Sequence, residues 1–231
     1  MKKVFGLSIM LLIFVALNSC STQNPNPNNN GNNTTSLPSV TICNQVWTTK
    51  NLDVSTYRNG DIIPQVTDSA TWANLTTGAW CYYNNDLAMG AIYGKLYNYY
   101  AVVDPRGLAP TGWHIPSHSE WKRLVKCVDP TSDTTIIGII SNNAGGPLKE
   151  VGTSNWKTPN TGATNTSNFS ALGGGRRHST PSVDFGYKTY QGNWWITDQY
   201  VFRLDNNNTD VYIYEYTFEP TTGVSVRCIK D

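Results

Sequence analysis

Two of the chain's three histidines, His114 and His118, lie four residues apart, and Glu120 follows two positions later. Imidazole and carboxylate groups at such close spacing can hold a zinc ion or act as the acid and base of a hydrolase. The surrounding segment, residues 112–125, has the sequence GWHIPSHSEWKRLV. It therefore admits three interpretations: a metal site, a catalytic site, or the beginning of a helix.

Pro116 argues against the first two interpretations. Proline restricts the residue before it and does not fit inside a helix, so His114 and His118 cannot share a helical face as an HExxH zinc motif requires. Ser117 and Glu120 have the spacing of a capping box. Apolar residues then recur at helical spacing: Trp121, Leu124, Val125 and Val128. The sequence predicts a capped helix with no metal ligand and no catalytic residue.

Other catalytic patterns are not matched either. Residues 173–175 are three glycines followed by Arg176 and Arg177, which predicts a turn, with an anion cradle as the alternative. The run is neither a P-loop nor a dinucleotide fingerprint. No histidine lies in a nucleophile elbow, and the 16 acidic residues show no paired spacing. We expect no catalytic residue, no metal and no cofactor.

The amino-terminal segment has the features of an export signal. Lys2 and Lys3 precede an apolar run over residues 4–17, which at ~14 residues is shorter than the ~20 of a membrane-spanning helix. The following Leu-Asn-Ser-Cys resembles the lipobox of bacterial lipoproteins, in which the cysteine is acylated. We expect residues 1–19 to be a signal peptide and Cys20 to be a lipid anchor. Since Ser21 replaces the aspartate that retains lipoproteins at the inner membrane, the outer membrane is favoured.

The composition changes twice after the anchor. Residues 20–39 are rich in Asn and Pro and bury too little apolar surface to fold, which predicts a disordered tether. Residues 40–231 have a globular composition and predict one domain. The net charge of +1, with 14% charged residues, offers no basic surface for nucleic acid.

Four cysteines belong to the predicted domain: Cys43, Cys81, Cys127 and Cys228. In an oxidising compartment an even number favours two disulfides, with three possible connectivities. Their wide spacing excludes a CxxC redox or zinc arrangement. The sequence predicts structural disulfides and leaves their pairing open.

The domain shows more strand than helix signals. Residues 40–52 predict paired strands, Asn59-Gly60 a tight turn, residues 69–75 one helical turn, and residues 93–102 an amphipathic helix. The last third contains YVFRLD, TDVYIYEYTF and VSVRCIK, whose alternation predicts closing antiparallel strands.

Several motifs together resemble the Fibrobacter succinogenes major paralogous domain family, in family order over residues 40–231. They are VTICNQVWTTKNLDVSTYRNGDIIP, WCYYNND, YGKLYNYYAV, GWHIPSHSEWKRL, FSALGGGRR and VSVRCIKD. The family looks like the C-type lectin-like fold, which implies an α+β domain with two helices, small antiparallel sheets, paired chain ends and a long loop region. Formylglycine-generating enzymes share this broad fold and have a segment similar to residues 115–121, but they need two nearby thiols.

The lectin resemblance also implies candidate ligand contacts. C-type lectins hold calcium and sugar with a Glu-Pro-Asn loop and a Trp-Asn-Asp strand, which residues 156–160 and 194–198 loosely match. Thr158 replaces the acidic ligand, so too little negative charge converges for calcium. The candidate contacts are Trp156, Asn160, Trp194, Trp195 and Asp198.

The sequence thus predicts a lipid-anchored, non-catalytic binding or surface-structural protein of the cell envelope. A carbohydrate-binding lectin-like adhesin is the first alternative, and a formylglycine-generating-type enzyme is the second. The expected partners are the membrane, through the anchor, and a glycan or an envelope protein.

Overall fold

The computed structural model describes Met1, residues 37–215 and residues 218–231. Apart from Met1, the predicted signal peptide, the anchor Cys20 and most of the tether lie outside the described residues. Residues from 37 onward belong to one compact unit. Among the described residues, no helix is long and apolar enough to cross a membrane.

The helices of the described part are short. They are α1 Ser69–Ala73, α2 Leu87–Tyr93, α3 Tyr99–Val102, α4 His118–Val128 and α5 Gly145–Leu148, with a 3-10 turn at Tyr83–Asn85. Only α2 and α4 exceed five residues. The α+β class is confirmed, whereas the implied count of two helices is too low because three further short helices, α1, α3 and α5, lie between the strands.

Twelve strands are described. They are β1 Ser39–Ile42, β2 Gln45–Thr48, β3 Trp80–Cys81, β4 Leu96–Tyr97, β5 Trp113–His114, β6 Gly138–Ser141, β7 Arg176–Arg177, β8 Phe185–Gly186, β9 Gln191–Trp195, β10 Tyr200–Asp205, β11 Val211–Glu215 and β12 Ile229–Lys230. The first sheet has the order β1-β2-β12-β5 and the second β6-β11-β10-β9. Two small sheets pair β3 with β4 and β7 with β8.

The first sheet joins the two ends of the domain. β1 and β2 form an antiparallel hairpin, as predicted for residues 40–52. Ile229 of β12 pairs with Trp47 of β2 on one side and with His114 of β5 on the other. The pairing of early and late strands that the family resemblance implies is therefore confirmed.

The α4 helix begins as the sequence predicts. The Ser117 side chain accepts from the Glu120 N–H at 3.4 Å, and Glu120 Oε2 accepts from the Ser117 N–H at 2.8 Å. Both hydrogen bonds of the capping box are present. Trp121 is fully buried and its ring centroid lies 4.6 Å from that of Trp47, so the apolar stripe fixes the helix on the first sheet.

The helix predicted over residues 93–102 is wrong. The chain leaves α2 at Gly94, whose φ of +70° favours glycine, and a Cβ there would meet the Leu52 carbonyl oxygen at 2.9 Å. β4 follows instead, and Asn98 caps the separate helix α3. The helical spacing of the aromatic residues therefore comes from two short helices and a strand that pack on one core.

The second sheet confirms two of the three predicted closing strands, YVFRLD and part of TDVYIYEYTF, whereas only Ile229–Lys230 of VSVRCIK forms a strand, which belongs to the first sheet. β10 coincides with YVFRLD and pairs with β9 on one side and β11 on the other. Trp194, Phe202, Leu204 and Ile213 lie on one face of this sheet and pack into the core that α4 covers. Alternate residues point to the opposite face, where several are polar.

Two buried cations connect loops to the sheets. Arg227 is fully buried and donates to the carbonyl oxygens of Thr48, Phe169 and Ser170 and to Asn51 Oδ1, at 2.6–2.9 Å. Lys149 is also fully buried. Its Nζ donates to three carbonyl oxygens: Thr161 at 2.9 Å, Asp205 at 3.0 Å and Asn208 at 2.7 Å.

Candidate functional site

The two histidines of the opening segment do not share a site. His114 Nδ1 lies 2.7 Å from Asp231 Oδ1, and its Nε2 lies 2.9 Å from Glu120 Oε1. His118 instead stacks on the Tyr200 ring, with centroids 4.7 Å apart. Within residues 37–215 and 218–231, no group of three His, Cys, Asp or Glu residues could hold a metal ion. The segment therefore positions β5, α4 and the last residues of the chain.

Carboxylates on both sides favour the charged form of His114. Burial opposes protonation, but the hydrogen bonds with Glu120 and Asp231 outweigh it and raise the pKa of His114. A raised pKa in the folded state stabilises the protein at pH values below the unfolded pKa of about 6.5. This contribution is lost as the pH rises through the folded pKa.

We expect His114→Asn to lower the free energy of unfolding by about 0.5–1 kcal/mol below pH 6.5, because the ion pairs are partly exposed. The difference from the unsubstituted chain should shrink as the pH rises. Urea unfolding between pH 5.5 and 8.5 measures it. His178 is the matched control: burial and Arg176 lower its pKa, so His178→Asn should show the opposite pH trend. A His114→Asn effect that does not vary with pH would contradict the assignment.

One of the two predicted disulfides is present. Cys43, in the turn between β1 and β2, is bonded to Cys127 near the end of α4, with Cα atoms 6.5 Å apart. Cys81 and Cys228 are buried free thiols, so the second predicted disulfide is wrong. They belong to different hydrophobic clusters of the core. Burial raises the pKa of each thiol to about 12.

The three tryptophans that were candidate ligand contacts lie in the core. Trp156, Trp194 and Trp195 are fully buried, and each indole N–H donates to an internal acceptor at 2.8–2.9 Å. A stacking contact with a sugar requires an exposed ring. Trp194 and Trp195 point to opposite faces of the second sheet, and both faces are covered at that point. Core packing therefore replaces the expected ligand contacts of these residues.

Asn160 and Asp198 lie near opposite ends of β10. The N–H of Thr161, next to Asn160, donates to the carbonyl of Asn206, just beyond the strand's end. Asp198 is exposed in the turn before the strand begins. The six residues of β10 span roughly 15–20 Å. The structure therefore does not bring these two candidate contacts together.

The second sheet instead presents a polar surface that the sequence analysis did not identify. In the strand register, Asn193 and Tyr212 flank Arg203, while Gln191 lies opposite Asp205. Residues directly opposite in antiparallel strands share a face. We call the following residues the polar face: Gln191, Asn193, Arg203, Asp205, Tyr212 and Tyr214.

Four polar atoms of this surface lack a hydrogen-bond partner among the described residues. These buried atoms are Gln191 Oε1, Asn193 Oδ1, Arg203 Nε and Asp205 Oδ1. A buried polar atom without a partner costs about 1–3 kcal/mol, and most such atoms are paired in folded proteins. These four atoms are thus concentrated on one face of the second sheet.

Aromatic rings and charges complete the polar face. The Tyr212 and Tyr214 rings are stacked at 5.6 Å, and the Arg203 guanidinium lies 4.4 and 4.7 Å from their centroids. Arg203 Nη2 also donates to Asp205 Oδ2 at 2.9 Å. Burial raises the pKa of Asp205, although Arg203 and Lys149 oppose this. The face thus combines donors, acceptors and flat apolar surface.

The sequence did contain a signal for this surface. Arg203 and Asp205 occupy alternate positions of an otherwise apolar strand, and Asn193 occupies the matching position next to Trp194. Period-two alternation predicts that such residues share a face of a sheet. The pairing of β9 with β10, which depends on the turn between them, was needed to bring the polar residues of both strands together.

Comparison with known proteins identifies the domain. The family model of the Fibrobacter succinogenes major domain matches residues 40–230. The chain belongs to the Fibrobacter succinogenes major domain family. The match to this domain includes the whole polar face, the disulfide and both free thiols. No curated protein and no solved structure gave a significant match.

Proposed function

We propose that this chain is a lipid-anchored cell-envelope protein whose Fibrobacter succinogenes major domain binds a saccharide at the polar face without catalysing a reaction. The observation that carries the proposal is the concentration of unpaired, buried polar atoms on that face. Amides, a guanidinium and a carboxylate supply both donors and acceptors, as sugar hydroxyls require. The stacked Tyr212 and Tyr214 rings provide the flat surface that the apolar side of a sugar packs against.

A C-type lectin-like fold is part of the proposal. It is supported by the pairing of early and late strands in the first sheet and by the antiparallel second sheet. The long stretch between α4 and β9, residues 129–190, contains only short elements, as the loop region of that fold would. The proposed ligand surface differs from the calcium loop of lectins, since it lies on the sheet.

Substituting Gln191 by methionine tests the binding function. The change removes an acceptor that has no internal partner, so we expect unchanged or slightly higher stability together with at least a tenfold loss of glycan binding. A glycan array, with and without chelator, and urea unfolding measure the two effects. Gln65→Met is the matched control, since Gln65 is exposed and lies outside the polar face. Equal binding by both variants, or no glycan binding by the unsubstituted chain, would exclude the proposed site.

The non-catalytic assignment is tested by thiol titration. Cys81 and Cys228 are buried, and their raised pKa leaves almost no thiolate at neutral pH. We expect no reaction with a thiol reagent in the native, non-reduced protein at pH 7.5 and two reacting thiols from these residues after unfolding. Rapid native reaction of both thiols would favour the formylglycine-generating alternative.

The lipid anchor is tested by mass spectrometry of the mature amino end. We expect the mature protein to begin at Cys20 with the added mass of acyl chains, as Leu-Asn-Ser-Cys at residues 17–20 suggests. Such an anchor would favour the outer membrane and leave the tether and domain accessible to envelope partners. An unmodified start at another residue would remove the anchor from the proposal.

A further inference from the structure

Arg176 and Arg177 are neighbours with opposite environments. β7 directs their side chains to opposite faces. Arg177 is fully buried and fully engaged: it donates to Asp184 Oδ1 at 2.7 Å and to the carbonyl oxygens of Val66 and Thr67 at 2.6 and 2.9 Å. Its charge and its hydrogen-bonding groups are therefore used by the fold.

The Arg176 side chain makes a hydrogen bond with the Tyr187 side chain but no ion pair with a described carboxylate. Its guanidinium lies between the Tyr187 ring, at 4.5 Å, and the Phe218 ring, at 4.6 Å. Its Nε is buried and has no hydrogen-bond partner, and none of the described carboxylates lies within ion-pair distance. Both rings pack against the guanidinium, and its Nε–H is left for another group.

Arg176 lies beside the polar face. Gly175, the preceding residue, donates its N–H to the Gln191 carbonyl at 2.8 Å and accepts from Asn193 Nδ2 at 3.4 Å. Burial and the nearby positive charge of Arg203 lower the pKa of Arg176. Two guanidinium groups thus repel each other next to the unpaired amide oxygens.

The charges of this region do not balance. Asp205 pairs with Arg203, and no described carboxylate pairs with Arg176. A partly buried charge without a counter-ion is unfavourable, and an anion placed between the two guanidinium groups would remove that cost. Guanidinium groups suit this role because their paired N–H donors match the two oxygens of a carboxylate or a sulfate.

We propose that the saccharide bound at the polar face is acidic, with a carboxylate or sulfate group held between Arg176 and Arg203. This inference rests on the proposed function, since it names the class of ligand for the same face. The oxyanion pairs with the guanidinium edges, while the neutral part of the sugar contacts the amides and the Tyr212 and Tyr214 rings. Tyr187, which is 45% exposed, lies at the solvent side of this arrangement.

The test compares probes that differ only in charge. Tetragalacturonate is paired with its fully methyl-esterified form, and a sulfated galactan tetrasaccharide is paired with its desulfated form. Binding to the full chain in detergent is measured by titration calorimetry at two salt concentrations. We expect at least one acidic probe to bind ten times or more tightly than its neutral partner, with an affinity that falls as salt rises. The pair that shows the preference identifies the oxyanion.

Substitutions identify the residues that produce the preference for the acidic probe. Arg176→Gln and Arg203→Gln should each remove the preference for the acidic probe, and Arg176→Lys should retain part of it because only the paired geometry is lost. Arg123→Gln, on the exposed side of α4, is the charge-matched control and should keep the preference. Arg176→Gln should not lower the urea midpoint, which distinguishes a ligand contact from a structural residue. The salt dependence of the unsubstituted chain provides a readout that needs no variant.

A failure of the anion inference can be distinguished from a failure of the proposed binding function. If neutral glycans bind at the polar face as tightly as their acidic partners, the ligand is not selected by charge and the anion inference is wrong, while the binding function stands. If neither the four probes nor the glycan array shows binding, both proposals are wrong.

Discussion

Replacing Arg227 by methionine is expected to lower the free energy of unfolding by about 3–5 kcal/mol, because each buried acceptor left without a donor costs about 1–3 kcal/mol. The substitution leaves the carbonyl oxygens of Thr48, Phe169 and Ser170 buried without their donor. Single domains are typically stable by about 5–15 kcal/mol, so much of the total would be lost. The midpoint of urea unfolding, at an unchanged slope, measures the effect.

Arg227 has a clear internal control. Arg123→Met makes the same change on the exposed side of α4 and should alter stability by less than about 0.5 kcal/mol. Arg227→Lys keeps the charge but cannot reach all four acceptors, so an intermediate loss is expected. If Arg227→Met unfolds at the same urea concentration as Arg123→Met, the guanidinium does not hold these loops together.

Removing the disulfide is the second large effect. The bond between Cys43 and Cys127 closes a loop with a sequence separation of 84 residues, which restricts the unfolded chain by roughly 4.5 kcal/mol in the chain-entropy model. It also ties the turn between β1 and β2 to the end of α4. We expect the double variant Cys43→Ser, Cys127→Ser to be about 2–4 kcal/mol less stable in urea unfolding.

A reducing agent provides the control for the disulfide. Reduction should lower the stability of the unsubstituted chain to about that of the double variant and should not change the double variant itself. If reduction destabilises the double variant equally, the effect comes from another part of the molecule. If the double variant is as stable as the oxidised chain, the bond does not contribute to stability.

Local signals predicted the elements that depend on local contacts. The capping box at Ser117 and Glu120 involves hydrogen bonds across one helical turn, so the sequence was sufficient to place the start of α4. The alternation in YVFRLD likewise predicted β10. The single helix predicted over residues 93–102 was wrong because Gly94 ends the helix α2. The need for glycine at this position comes partly from the distant Leu52 carbonyl, which leaves no room for a Cβ.

The polar face could be predicted only in part, because it depends on the pairing of strands. The lectin resemblance implied the tryptophans as ligand contacts, but both sides of the second sheet are covered where Trp194 and Trp195 lie. Arg176 illustrates the same limit. The sequence shows two adjacent arginines, and only the folded chain reveals that Arg177 has an ion pair with Asp184 whereas Arg176 has a buried Nε without a partner.

Lys149 gives the loops around the end of β10 a positive charge that belongs to the polypeptide. Burial lowers its pKa to about 8, so the ammonium group is still present at neutral pH. Because the ammonium group is part of the Lys149 side chain, this charge cannot dissociate from the protein when the solution is diluted or exchanged. The loops it joins should therefore keep their arrangement at both low and high concentrations of dissolved ions.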